Sequence, residues 1–468
     1  MNTMMKQIKI PDDLKKMNEI FTSHGYEAYL VGGAVRDTIL GKPATDWDIA
    51  TNATPQQVIS IFHKVIPTGI AHGTVTVHFS GHEIEVTTYR TDIGYSDGRH
   101  PDKVAYAATI QEDLSRRDFT MNAIAVNMTT EEIVDPFSGR EDIRRKIIRT
   151  VGNPVDRFTE DGLRPVRALR FSAQLGFVIE KDTFEAISQP SILKKTAGIS
   201  IERFRDEVIK MLSADKPSIG FHFMEQTGVL SLFIPEFTAC RNCIQSDSRG
   251  FHEFDVLDHL FYSCDGAPKS NLNVRLAALF HDIGKPLVKK SIHVDNVEQL
   301  TFYNHEFISA QIAQTVLTRL RFPNTTVEAV VHLVKQHMFH YEPDWSDAAV
   351  RRFLVRVQPE YLNDLFDLRI ADVYGMHNTP VRLHDSEVGK NLCELKDRIS
   401  AVMQQNTILG IKDLAVNGRD LMEAGIPAGR HMGQILNSLL DSVLDDPAQN
   451  TKEKLLNIAK HLNEQYNQ

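Results

Sequence analysis

Residues 30–51 read LVGGAVRDTILGKPATDWDIAT. Tyr29, Leu30 and Val31 form an apolar run that stops at Gly32 and Gly33, the pattern of a strand closing in a turn before a helix opens near Ala34. In such a turn the bare backbone amides can approach phosphate oxygens. Asp46 and Asp48 follow, two apart. If Trp47 lies on a strand, both carboxylates face one side, because side chains alternate with a period of two. Two carboxylates on one edge can hold two hard cations against a triphosphate, the arrangement that nucleotidyl transfer needs. Alone the pattern stays open: a glycine pair after a strand is commonly only a turn, and a D-x-D is commonly a solvated loop or a helix cap.

Around this stretch Ala28–Val31, Thr74–Phe79 and residues 83–89 read as strands and residues 55–63 as a helix, which predicts an α/β or α+β head. In the last strand Glu83, Glu85, Thr87 and Tyr89 share one face and Ile84, Val86 and Thr88 the other. Glu85 is the candidate third carboxylate on the metal side; two solvent-facing glutamates on an edge strand fit equally well. Residues 91–102, TDIGYSDGRHPD, are polar and turn-rich and read as a long loop beside the site. The following SRRDFTMNAIAV sets Asp118 and Asn122 four apart, stacked on one helical face with Arg116 and Arg117 at the helix start. That face would offer a carboxylate and an amide to a ribose and guanidiniums to phosphates, although a charged helix start requires no function.

From about Thr150 strand signals give way to helical periodicity. Leu163, Val166, Leu169 and Phe171 suggest an apolar face, and Arg164, Arg167 and Arg170 a basic row able to follow an RNA backbone. A solvated helix face is the plain alternative. Between Arg144 and Arg170 there are seven arginines and Lys146 against only Asp156, Glu160 and Asp161, so a local basic groove coexists with a net charge of −9 over the chain.

At 468 residues the chain has room for roughly three or four domains. A hydrophobic content of 42% and a charged content of 24% describe an ordinary soluble protein. The start, MNTMMKQIKIPDDLKK, has no apolar run and no segment has the length of a membrane span, so a cytoplasmic protein without membrane association is expected. Four cysteines argue against a disulfide framework, and Cys240 and Cys243 lack a second pair at zinc-finger spacing.

With GGAVRD, D-W-D, RRDFTMNA, DPFSGREDI and EDGLR in order, the first 210 residues resemble the class II tRNA nucleotidyltransferases, the CCA-adding enzymes and their poly(A) polymerase relatives. The resemblance implies an α+β chain with a polymerase-β-like head followed by all-α neck, HD and tail domains. It implies that Asp46 and Asp48 bind Mg2+, that Gly32, Gly33 and Arg36 help hold the triphosphate, and that Arg116, Asp118 and Asn122 form the nucleotide and ribose motif. Asp161 and Arg164 then correspond to the family's amino-acid template; the RNA-binding expectation for Arg167 and Arg170 rests on the basic row alone. An aspartate accepts from an exocyclic amine and an arginine donates to a ring nitrogen or carbonyl, so the pair suits cytosine and adenine and rejects uracil and guanine. Gly162 and Pro165 depart from a plain helix here, and the proline predicts a kink that would shift Arg164 relative to Asp161. The loop at 91–102 lies where the family has its flexible element, which speaks against an enzyme limited to the two cytidines. GTVTVHF, after His72, lacks the basic run of bacterial poly(A) polymerases.

Downstream, FDVLDHLF, ALFHDIGKP, FYNHEFISA, VKQHMFHY and LRIADVYG present His259, His281, Asp282, His305, His337 and Asp372. Imidazoles and carboxylates in helical surroundings suit a divalent transition metal such as Mn, Ni, Fe or Co. Their order resembles the HD phosphohydrolase superfamily, which implies one or two metal ions and hydrolysis of phosphate esters, here of 2′,3′-cyclic or 2′-phosphate RNA ends. Lys285 is either a phosphate contact or a surface residue; the whole domain is alternatively a helical body for tRNA. Residues 418–440 pair a glycine-rich turn with an apolar helix, similar to the small C-terminal domain of many class II enzymes.

The expected division is a head at 1–150, a helical neck at 151–245, an HD domain at 246–378 and a helical tail at 379–468. The expected function is template-independent addition of CCA to tRNA 3′ ends from CTP and ATP. The rivals are an A-adding enzyme working with a separate CC-adding partner, a phosphohydrolase with a nucleotide-sensing head, and a non-catalytic RNA-binding adaptor.

Overall fold

The computed structural model describes residues 8–44, 46–93, 103–245, 253–294, 297–381, 386–404 and 410–466. The chain divides into two compact units, residues 1–238 and 239–468. Among the described residues no helix is long and apolar enough to cross a membrane.

The first unit begins α1 (Asp12–Ser23), β1 (Ala28–Val31), α2 (Gly33–Ile39), β2 (Asp48–Thr51), α3 (Pro55–Ile61), β3 (Val65–Gly69), β4 (Thr74–Phe79) and β5 (His82–Thr88). It continues through β6 (Arg90–Ile93), β7 (Lys103–Tyr106), α4 (Ile110–Ser115), β8 (Ala125–Asn127), β9 (Ile133–Val134) and α5 (Gly139–Arg145). Seven strands make one sheet in the order β3-β4-β5-β2-β1-β8-β9, and β6 pairs with β7 separately. Only β2 and β5 are parallel neighbours in the large sheet, and their register sets Asp48 opposite Glu85. All four residues of β1 are buried, as a continuous apolar run at the centre of a sheet requires. Helix α3 starts at a capping box in which Thr54 and Gln57 exchange hydrogen bonds, with Pro55 at the first helical position, and it ends at Ile61 rather than at residue 63.

Strand β5 buries Ile84, Val86 and Thr88 and exposes Glu83 and Glu85, as the alternation predicts. Tyr89 departs from it. The strand ends at Thr88, the Tyr89 amide donates to the Thr51 carbonyl (2.7 Å), and the ring is buried edge-on against Tyr29. Of the loop expected at 91–102, residues 91–93 belong to β6 and residues 94–102 lie outside the described residues.

The rest of this unit is helical: α6 (Pro154–Glu160), α7 (Leu163–Leu175), α8 (Lys181–Ile187), α9 (Pro190–Ala197), α10 (Ile201–Leu212), α11 (Pro217–Gln226) and α12 (Val229–Phe233). Strand signals do not vanish as expected, because β10 (Ile147–Ile148) and β11 (Val178–Ile179) pair in parallel around α7. Pro165 is the third residue of α7 and does not break it: the first four amides of a helix have no intrahelical acceptor, so the missing N–H costs nothing there.

The second unit is built from α13 (Val256–Gly266), α14 (Leu272–Phe280), α15 (Lys285–Val288), α16 (His305–Arg319), α17 (Asn324–Gln336), α18 (Asp347–Val357) and α19 (Leu362–His377). Strands β12 (Lys290–Val294) and β13 (Val297–Thr301) form an antiparallel pair, another departure from the all-helical expectation. Helices α20 (Glu387–Gln404), α21 (Gly418–Glu423), α22 (Arg430–Asp445) and α23 (Lys452–Tyr466) follow. Leu421, Ile435, Leu439, Val443, Leu455 and Ala459 make an apolar cluster of their own there. A side chain at Gly375 would meet Ser263 Oγ at 2.1 Å and the His259 carbonyl at 2.8 Å, so only glycine lets α19 lie this close to α13.

Candidate active site and metal centre

Trp47 is not on a strand: β2 begins at Asp48. Asp46 therefore sits in the approach to the strand, exposed, while Asp48 is half-buried at its first position. The parallel register brings Glu85 beside Asp48, and the sequence-level choice of Glu85 matches this placement. Burial and the nearby Glu85 charge push the Asp48 carboxyl up to about 6, Arg117 opposing and Asp46 adding to the rise. Three carboxylates that repel one another across a partly dehydrated edge fit divalent cations, whose charge would relieve the repulsion.

Gly32 has φ +78° and ψ −144°, and a Cβ there would lie 3.0 Å from Asp48 Oδ2. The glycine turn thus makes room for the carboxylate. Arg36 does not reach toward a triphosphate as expected. It is buried, donates to both Asp37 oxygens (2.9 and 3.0 Å) and gives Nη1 to Asn122 Oδ1 (2.8 Å).

The expected helical face at residues 116–122 is also different. Arg116 caps the end of α4, and a separate short 3-10 turn covers Thr120–Asn122. Asp118 and Asn122 still meet, Nδ2 donating to Oδ1 at 3.1 Å, but the amide is spent between Asp118 and Arg36 rather than offered outward. Asp118 also accepts from the Phe119 amide (2.8 Å) and Arg167 Nε (2.8 Å). Burial alone would raise its pKa; Arg167, Asn122 and Arg164 outweigh it and hold the carboxyl at about 2. Arg116 and Arg117 both pair with the buried Asp113, which stays below the usual carboxylate range despite its burial because of those two guanidiniums.

Asp161 stands between α6 and α7 in an extended conformation. Its Oδ1 accepts from the Leu163 amide (2.9 Å) and its Oδ2 from Arg203 Nη2 (2.8 Å). Arg164, on the first turn of α7, is buried and donates to Glu160, to the Arg157 carbonyl (3.0 Å) and to the Arg116 carbonyl (3.0 Å). The basic row is not a solvated one: Arg164 pairs with Glu160, Arg167 with Asp118 and the buried Arg170 with Glu207. Arg170, held between Glu207, Gln174 and the Phe171 ring, is not placed to track RNA in this structure.

Asp48, Glu85, Arg116, Arg117, Asp118, Asp161, Arg164, Arg167 and Arg203 line one cleft of about 380 Å³. Sequence reading missed Arg203, which lies 42 residues from Asp161 and has no local signal, and Asp113, whose i+3 and i+4 spacing to the arginine pair was available.

In the second unit all six expected metal-side residues converge and are buried. His259 comes from α13, His281 and Asp282 follow α14, His305 opens α16, His337 follows α17 and Asp372 lies on α19. His259 Nε2 is 3.1 Å from His281 Nε2 and 3.3 Å from both Asp282 Oδ2 and Asp372 Oδ1. On the other side His305 Nε2 is 2.9 Å from Asp282 Oδ1 and 3.3 Å from His337 Nε2. Two groups able to hold an ion result, His259/His281/Asp282 and Asp282/His305/His337, sharing Asp282.

The tautomers support metal binding. Nδ1 of His281, His305 and His337 faces the carbonyls of Ala278 (2.9 Å), Phe302 (2.7 Å) and Val334 (2.6 Å). A carbonyl only accepts, so each Nδ1 carries a proton and each Nε2 is the ring nitrogen turned inward, the one that would ligate a metal. The Nε2 atoms of His305 and His337, 3.3 Å apart, and that of His281, 3.1 Å from His259 Nε2, are thereby placed where a cation can be shared. Lys285 is no surface residue: it is buried, paired with Asp282 and donating to Gln245 Oε1 (2.8 Å). Burial opposes the Asp282 charge, but Lys285 and His281 keep that carboxyl well below the usual range. A cavity of about 450 Å³ opens onto Asp282, Lys285, His305, His337, Arg369 and Asp372.

Residues 28–149 match the poly A polymerase head domain and residues 252–376 the HD domain. Residues 176–241 match an RNA and SrmB-binding site of polymerase A, and residues 380–459 a tRNA nucleotidyltransferase domain 2. Nucleotidyltransferase and HD domains generally need divalent metals. The chain is 33% identical to the CCA-adding enzyme of Ligilactobacillus salivarius (strain UCC118) over 463 residues, 97% of this chain and 98% of the relative. It is 50% identical to the CCA-adding enzyme of Geobacillus stearothermophilus over 212 residues, 45% of this chain and 52% of that one. The crystal structure of the Bacillus stearothermophilus CCA-adding enzyme in complex with CTP superposes with a TM-score of 0.71 at 29% identity, covering 97% of this chain and 98% of the other. A nucleotidyltransferase head, an HD domain and a relative matched along 98% of its length agree: the chain belongs to the CCA-adding enzymes, a family of tRNA nucleotidyltransferases.

Proposed function

We propose that this protein adds C and A to tRNA 3′ ends from CTP and ATP, in the cleft where Asp48 and Glu85 on adjacent parallel strands face Asp161 and Arg164. That juxtaposition of an anionic sheet edge with a donor–acceptor pair carries the reading. The primer's 3′-hydroxyl attacks the α-phosphate in line, forming the new P–O bond as the bond to pyrophosphate breaks. Asp46, Asp48 and Glu85 are the residues that would hold Mg2+, which would supply the charge to activate the hydroxyl and stabilise the departing pyrophosphate. Arg116 and Arg117 lie on the phosphate side, Asp118 fixes the sugar, and Asp161 accepts from the base amine while Arg164 donates to its neighbour. Arg203 and the Leu163 amide aim the Asp161 carboxylate.

The buried HD ligand set favours a second activity. We read it as a phosphohydrolase that opens 2′,3′-cyclic phosphates or removes 2′-phosphates at RNA ends, with Mn, Ni, Fe or Co as its metal and Lys285 toward the phosphate. A finer division at residues 150, 245 and 378 into head, neck, HD and tail domains accompanies this reading, as does a cytoplasmic location.

Incorporation on three tRNA transcripts, ending before CCA, after C and after CC, tests the main proposal. Completion of all three to CCA is expected. Extension of the CC-ended transcript alone, with ATP alone, would instead make the protein an A-adding enzyme.

A further inference from the structure

The HD cavity has two unlike sides. Its floor is the ligand set with Lys285 and Arg369, the latter donating to Asp372 Oδ2 at 2.7 Å. Its walls carry Tyr303 and Met338, which are 74% and 57% exposed and rank among the largest apolar side chains left in water by the second unit. Both are tied in sequence to the ligands. Tyr303 lies two residues before His305, and Asn304 between them has φ +63°, a left-handed turn that sends His305 inward and leaves Tyr303 at the mouth. Met338 directly follows His337.

A phosphate group alone has no use for such a wall, because apolar surface gives it no binding energy and the floor already offers the charge. A nucleobase does: every base has a π-face, and an exposed tyrosine lining the same cavity as a polarizable thioether is a sequence-tolerant stacking surface. We propose that Tyr303, assisted by Met338, is the base platform of the HD site, so that the site selects phosphates attached to a nucleoside over the same phosphate on a base-free alcohol. The inference rests on the phosphohydrolase reading given above and adds to it a specificity-determining residue. The chemistry on which it acts is balanced by water alone: a water oxygen forms a bond to phosphorus, one ring P–O bond breaks, and the water's proton ends on the released hydroxyl.

The test compares adenosine 2′,3′-cyclic phosphate with glycerol 1,2-cyclic phosphate, the same five-membered ring without a base, using the full chain supplied with Mn2+. Tyr303→Ala should raise KM for the nucleotide about 5- to 150-fold, the range to which the loss of one base stack converts. It should leave kcat and the glycerol ester unchanged, and Tyr303→Phe, which keeps the ring, should behave as wild type. A second readout needs no turnover: in chelator-treated protein, saturation transfer to the base protons of adenosine 2′-phosphate should fall in Tyr303→Ala and persist in Tyr303→Phe. If wild type opens both rings with similar KM and Tyr303→Ala changes neither, the platform is refuted while the hydrolase reading stands. If Tyr303→Phe is as impaired as Tyr303→Ala, the hydroxyl and not the ring matters, and the platform is refuted again. If wild type opens neither ring, the hydrolase reading falls and takes the platform with it.

Discussion

Gly32→Ala is the sharpest probe of the nucleotidyl-transfer site, because two independent effects meet at one atom. At φ +78° and ψ −144° the residue occupies backbone space almost restricted to glycine, and forcing alanine into it costs ~1–3 kcal/mol. The added Cβ would also lie 3.0 Å from Asp48 Oδ2, so that carboxylate must give way. Gly25 supplies the control: it also has positive φ, at +81°, but nothing lies within 4 Å of a Cβ built there. Gly25→Ala should therefore lose only the conformational part, ~1–2 kcal/mol, and leave catalysis intact. Stability of the first unit can be followed selectively, since the chain has two tryptophans and Trp345→Phe leaves Trp47, next to the site, as the sole reporter. Urea unfolding at that probe should place Gly32→Ala below Gly25→Ala, and CTP incorporation should drop about tenfold or more in Gly32→Ala alone, equivalent to ~1.4 kcal/mol of barrier. Equal incorporation by the two variants would refute the argument that the glycine exists to seat Asp48.

The raised Asp48 carboxyl predicts a pH dependence. Its folded value of about 6 lies above the ordinary 3.8, so the metal-free fold binds the extra proton, and stability is lost as pH rises between those values, by up to ~3 kcal/mol at 1.36 kcal/mol per pKa unit. Asp48→Asn should therefore gain stability over wild type across that window and hold the gain above pH 6, while losing incorporation; a pH-independent difference counts against the assignment. Asp282→Asn removes the carboxylate common to both HD ligand groups, so elemental analysis should find both ions lost together, with tRNA extension unaffected. Retention of one equivalent of metal would show that the groups are independent. Arg203→Ala frees Asp161 Oδ2 from its only side-chain anchor among the hydrogen bonds seen, and should raise misincorporation of UTP relative to CTP several-fold, with Arg203→Lys partly restoring selectivity; an unchanged ratio removes Arg203 from the specificity argument.

Local periodicity carried much of the fold. The strands at Ala28–Val31 and Thr74–Phe79 have the expected bounds, because both are short apolar or alternating runs closed by turn residues. It failed where long-range partners decide conformation. Trp47 looks like the middle of a D-x-D strand, but β2 starts one residue later, where pairing with β1 and β5 begins. Asp118 and Asn122 meet without a helix, since hydrogen bonds to Arg36 and Arg167 from distant elements hold them. Arg167 and Arg170 of α7 read as free cations because their carboxylates, Asp118 and Glu207, are 49 and 37 residues away. The six HD residues were legible because each histidine or aspartate sits in its own motif, whereas the sharing of Asp282 between two groups is a fact of three-dimensional packing.

The charges around the nucleotide cleft have one more consequence. Six arginines line it, Arg90, Arg116, Arg117, Arg164, Arg167 and Arg203, against the carboxylates Asp48, Glu85, Asp118 and Asp161. Asp113 behind Arg116 and Arg117, Glu160 behind Arg164 and Asp46 beside Asp48 bring the acids to seven, nearly the same number. A pocket so balanced exerts little pull on a triphosphate by itself and repels a lone divalent ion little more. Ligand and ion would then make each other's site, which is thermodynamic coupling: a divalent ion that tightens nucleotide binding must have its own binding tightened by nucleotide by the same factor.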